Sequence, residues 1–141
     1  MKKRWIIVLC ITFFGMLLPV PSSAGHDHSG PNPLMEEMLL LDTAFREVVS
    51  AVALGDGERV HKALHSMHGT MEKTHKGVHA GSVVIPKNAH RINEFVAMDK
   101  EFHQTLEKLA EGAHRNDRKE MLSLTKRLLD GCVQCHQTFR K

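Results

Sequence analysis

Four stretches of this chain repeat apolar side chains at steps of three and four residues, and no convincing run alternates at a step of two. The first set is Leu34, Met38, Leu41, Phe45, Val48 and Val52. The second is Val60, Leu64, Met67, Met71 and Val78; the third is Ile92, Phe95, Met98, Phe102, Leu106 and Leu109. The fourth runs Met121, Leu124, Leu128, Cys132, Cys135 and Phe139. Such spacing places each set on one helical face, so the chain reads as four amphipathic helices. Punctuation agrees. Asn32 is a cap with Pro33 at the first helical position. Gly55-Asp56-Gly57 separates the first two helices, and Gly77 and Gly81 weaken the end of the second. Ser82 to Lys87 is an apolar loop around Pro86. The third helix is expected from about Asn88 to near Gly112, and Asp117 with Glu120 forms a capping box for the fourth. Two tight connections and one moderate one predict an all-α, antiparallel up-down-up-down four-helix bundle.

Ahead of the first helix, Lys2, Lys3 and Arg4 form a basic start, and Trp5 to Val20 is nearly all apolar. Ser22-Ser23-Ala24 then supplies small residues. This is the pattern of a cleaved secretory signal over 1–24, too short and too poorly flanked for a secure membrane span. Cys10 lies inside the apolar run, without small residues before it, and leaves with the signal. A His/Gly/Pro tail follows over 25–32, then the bundle over 33–141. Removing the three basic residues lowers Lys plus Arg from 19 to 16, against 16 Asp plus Glu. With no net charge and no basic stripe left, nucleic acid is not an expected partner. The expected location is the periplasm.

Two cysteines remain, both in the run GCVQCHQTFRK, as C-x-x-C-H at Cys132, Cys135 and His136. A disulfide closing so short a loop restrains the unfolded chain very little. A thioredoxin-like pair wants a βαβ setting, and a structural zinc site usually draws ligands from separate segments. Haem attachment suits the spacing best. On a helix, residues three and four apart share a face, so both thiols can reach the vinyl groups while His136 offers nitrogen to iron. The motif at the end of the fourth helix, followed by Phe139 and Arg140, resembles the cytochrome c-prime family, the class II c-type cytochromes. The resemblance spans the chain from about Asn32, and its specific part is Cys132, Cys135, His136, Phe139 and Arg140. It implies one covalently held haem c, with His136 as proximal iron ligand and Arg140 near the haem.

The sixth ligand separates two functions. His136 lies about 7.5 Å of helix from the C-terminus, and Met38 about 9 Å beyond the Asn32 cap, at nearly the same height. Met38 is therefore the expected distal ligand, ahead of Met35 one turn earlier. Low-spin relatives in the family take a Met from this helix, which makes a periplasmic monohaem electron carrier, serving redox partner proteins, the expected function. An open site would instead bind nitric oxide or carbon monoxide. A third reading, a His-rich bundle that buffers transition metals, rests on His61, His65, His68, His75 and His79 along the second helix. Those five read more simply as a solvated flank, since no carboxylate or Cys completes a site. His26 and His28 in the tail are a weaker copper suggestion, and His75, His79 and His90 fall at the haem end. No nucleophile–base pair or carboxylate dyad is legible, so no enzyme is expected. Met38-Leu39-Leu40-Leu41 carries more apolar surface than one stripe needs, consistent with a homodimer through helices one and two. Val83, Val84 and Ile85 are expected to cover the haem.

Overall fold

The computed structural model describes residues 32–141. The expected signal, Cys10, and His26 and His28 of the tail lie outside the described residues. The described residues fold into helices only, with no strand among them. Helix α1 spans Pro33–Leu54 and is capped as its sequence asks: the Asn32 side chain accepts from the Leu34 N–H at 3.1 Å. Helix α2 spans Gly57–His65, with Asp56 accepting from the Arg59 N–H at 3.0 Å. Helices α3, α4 and α5 span Thr70–His79, Ile92–His114 and Arg118–Phe139. At the start of α5, Asp117 accepts from the Glu120 N–H at 3.0 Å. Only half of the capping box forms. The Asp117 N–H donates to the Gly112 carbonyl, and the Glu120 carboxylate turns to Arg115.

Two boundaries differ from the sequence reading. The second helix is broken into α2 and α3 at residues 66–69, where Gly69 takes a left-handed conformation (φ 77°) that a β-carbon disfavours. Both halves still pack on α1 and α4, so together they occupy the place of one helix. The next helix begins at Ile92 rather than Asn88. Asn88 adopts a positive φ of 55°, and its side chain donates to the Thr138 carbonyl at 2.7 Å. The loop is thus tied to the end of α5.

The core falls into two clusters. One joins Val48 and Ala51 of α1, Val60 and Leu64 of α2, Leu106, Leu109 and Ala113 of α4, and Met121 and Leu128 of α5. Each fully buried aliphatic side chain there contributes on the order of 1.5–3 kcal/mol. The other joins Leu34, Val78, Val83, Ile85, Phe95 and Phe139, with Phe95 edge-on to Phe139 at 5.4 Å. Gly77 makes this second cluster possible, since a β-carbon there would lie 2.6 Å from Val83 Cγ2. No helix of the described residues is long and apolar enough to cross a membrane.

Candidate functional site

A cavity of about 260 Å³ opens between α1, α4 and α5, and Cys132, Cys135, His136 and Met38 all line it. Helical spacing explains the first three, which project from consecutive turns of α5. Leu41, Phe102 and Leu128 form apolar wall, while Asp99, Glu101, Arg127 and Asp130 make part of it polar. Arg127 is held by Glu101 at 2.7 Å. Met38 is half-buried, whereas Met35 is 56% exposed and does not line the cavity. Met98 of α4 is a second thioether on the cavity. Sequence reasoning placed it on an apolar stripe without singling it out as a donor.

The ionisable groups are tuned by burial first. Cys132 and Cys135 are half-buried, and burial raises both thiols. Cys135 is pushed up to about 11, with the Asp99, Cys132 and Glu37 charges adding to the effect. His136 moves the other way: burial and the Arg140 guanidinium lower its pKa, which keeps the imidazole neutral near pH 7. The sequence reading put Arg140 near the haem. It is exposed and does not line the cavity, because the backbone leaves the helix at that residue.

The 82–87 loop also takes a different place from the expected one. Val83 and Ile85 are buried in the second cluster against Phe139, while Val84 is 69% exposed. The Lys87 N–H donates to the Phe139 carbonyl at 3.1 Å, and Lys87 Nζ donates to the Gln137 carbonyl at 2.7 Å. None of the three apolar residues lines the cavity. The loop plugs the end of the bundle instead of covering the cavity, because the α5 terminus offers it both apolar contact and carbonyl acceptors.

Beside the cavity lies a polar cluster that sequence reasoning missed. Glu37 is fully buried, and its Oε1 sits 2.8 Å from His103 Nε2. Asp99 Oδ1 is 4.0 Å from the same nitrogen, and Asp99 Oδ2 pairs with His75 Nε2 at 2.8 Å. Burial alone would raise the Glu37 carboxyl, but the His103 hydrogen bond, the Thr74 hydroxyl, the His103 charge and the Thr70 hydroxyl together outweigh it and hold it below the ordinary value. Burial and the Glu37 charge push Asp99 up to about 6. For His103 the carboxylates outweigh burial and raise its pKa. The signal was present in the spacing. Glu37 falls three residues after Leu34 and seven before Ala44, on the buried face, and Asp99 and His103 share one face at a step of four.

His75 is thus an inward-facing member of the expected solvated stripe, while His61, His65, His68 and His79 are exposed. The chain matches no family model, no curated protein and no solved structure.

Proposed function

We propose that the protein is an exported monohaem c-type cytochrome that carries electrons in the periplasm, built as an antiparallel up-down-up-down bundle. The observation that carries this reading is the cavity on which Cys132, Cys135, His136 and Met38 converge. The donor set fits haem c: two thiols for thioether links, a neutral imidazole for the proximal position and a thioether for the distal one. Bound there, the group would supply a one-electron ferric–ferrous couple. Cys132 and Cys135 would anchor it, His136 and Met38 would hold the iron, and Leu41, Phe102 and Leu128 would keep water from the wall they form. Arg140 acts on this site through its charge near His136. The antiparallel arrangement is supported by the second cluster, where the start of α1 meets the starts and ends of other helices at Leu34, Val78, Phe95 and Phe139. The homodimer remains part of the proposal, with Leu39 (65% exposed) as apolar surface for it.

The test is spectroscopic. The chain is expressed with a c-type maturation system, denatured and extracted with acidic acetone. Colour that stays on the polypeptide is expected, and colour that leaves it refutes covalent attachment. The wild type should be low-spin, and Met38→Ala should become high-spin, lose potential and gain rapid carbon monoxide binding. Met35→Ala should keep the low-spin spectrum. Loss of the low-spin state in Met98→Ala, with Met38→Ala unaffected, would move the distal ligand to α4. A wild type that is already high-spin and binds carbon monoxide freely would favour the gas-binding reading.

A further inference from the structure

Where α1, α3 and α4 meet, the bundle interior carries ligand atoms instead of hydrocarbon. One atom each from Glu37, Asp99 and His103 lies within 4.8 Å of the others. A second observation points to a missing partner: Glu37 Oε2 and Thr74 Oγ1 are fully buried with no hydrogen-bond partner within 3.5 Å, although the Thr74 hydroxyl lies near enough to the Glu37 carboxylate to help hold it charged. Buried polar atoms are nearly always satisfied, and a carboxylate oxygen left alone is costly.

We propose that Glu37, Asp99 and His103 form a binding site for one divalent transition-metal ion of the zinc class, with His75 positioning Asp99. The donor chemistry selects the class. Two carboxylates neutralise a doubly charged ion in a low-dielectric interior, and the imidazole favours zinc-like ions over calcium or magnesium, which want oxygen alone. Zinc–ligand bonds of about 2.1 Å place tetrahedral donors about 3.4 Å apart, so the Glu37–His103 pair at 2.8 Å opens and the Asp99–His103 pair at 4.0 Å closes to admit an ion. Binding requires the Nε2 of His103 to be unprotonated. The metal takes the place of the proton between His103 and Glu37, and when His103 carried that proton it leaves to solvent. Three protein ligands leave a fourth position for water. His75 supplies the outer hydrogen bond that fixes a ligating carboxylate. The site is separate from the proposed haem ligands, although Asp99 touches both places.

The experiment uses the mature protein as purified, stripped with EDTA, freed of chelator, loaded with zinc chloride and desalted. Elemental analysis should find one zinc per chain, and iron measured in the same sample reports haem independently, so either reading can fail alone. His103→Gln and Asp99→Asn should each weaken zinc binding by at least 100-fold, and His75→Gln by about 10- to 100-fold. Replacing the exposed His61, His65 and His68 together with Gln should leave zinc in place. A wild type that keeps no zinc overturns the proposal, as does zinc lost from the triple variant but kept by His103→Gln. If the buried variants fail to fold, zinc-edge X-ray absorption on the loaded wild type decides. One imidazole among oxygen donors is expected; sulfur, or two or more imidazoles, overturns the site.

Discussion

The contact between Glu37 and His103 sets up a sharp energetic test of the bundle interior. Glu37 is fully buried, and its Oε1 meets His103 Nε2 at 2.8 Å. In metal-free protein at pH 7, Glu37→Leu strands the imidazole beside Asp99, and breaking a buried pair in this way costs about 3–5 kcal/mol. His103→Leu strands the carboxylate instead, leaving Oε1 as unpartnered as Oε2 already is, at a similar cost of about 3–5 kcal/mol. Independent losses would sum to about 6–10 kcal/mol, comparable to the whole stability of a domain. The double variant removes both polar partners and fills the space with hydrocarbon, which is often neutral relative to the pair. It should therefore be no less stable than either single variant, giving a coupling of about 3 kcal/mol or more. Urea unfolding in EDTA, followed by helical circular dichroism, measures all four corners of the cycle. Additivity within about 0.5 kcal/mol would refute the claim that these two residues stabilise each other.

Two further variants probe how the end of the bundle is closed. Gly77→Ala gains about 1 kcal/mol of helix propensity but drives a β-carbon to 2.6 Å from Val83 Cγ2, so it should destabilise by about 1–3 kcal/mol net of relaxation. In a Val83→Ala background the same change should stabilise, as thermal unfolding will read. Val84→Ser should shift stability by no more than about 0.5 kcal/mol, whereas Ile85→Ser should cost about 2–5 kcal/mol, in keeping with 69% and 3% exposure. Equal losses at the two positions would contradict the inward and outward alternation of the loop.

The apolar repeats made the helices legible because burial follows the helical period, and the caps at Asn32 and Asp117 made two starts legible to the residue. The break at 66–69 was not legible. Met67, Met71 and Val78 keep an apolar phase across it, so the hydrophobic pattern runs on while Gly69 turns the backbone. The start at Ile92 was hidden for another reason: Asn88 looks like a cap, but its side chain bonds across fifty residues to Thr138, a contact that no local rule contains. That Cys132, Cys135, His136 and Met38 line one cavity could be argued from rise per residue, given the up-down order of helices that the short connections predict. Burial of Glu37 was missed because its charge reads as surface, although its position on the Leu34–Ala44 face says otherwise.

A division runs through the interior. Of the seven largest fully buried side chains, the five apolar ones, Val48, Val60, Leu109, Met121 and Leu128, all belong to the first cluster. The two polar ones, Glu37 and Thr74, lie outside it, where Glu37 pairs with His103. Local rules that favour hydrocarbon inside are kept in both apolar clusters and broken outside them, at Glu37, Thr74 and Asp99. Proteins depart from those rules where chemistry requires it and compensate elsewhere. Here the compensation is structural: one apolar cluster closes near the α1–α2 and α4–α5 turns, and the other joins Leu34, Val78, Phe95 and Phe139. The cavity then sits on a frame that both clusters hold, with Leu128 of the first on its wall and Met38 and Cys135 packed against the second. That arrangement explains how a buried carboxylate with an unpartnered oxygen can persist beside two thiols and a thioether without the bundle giving way.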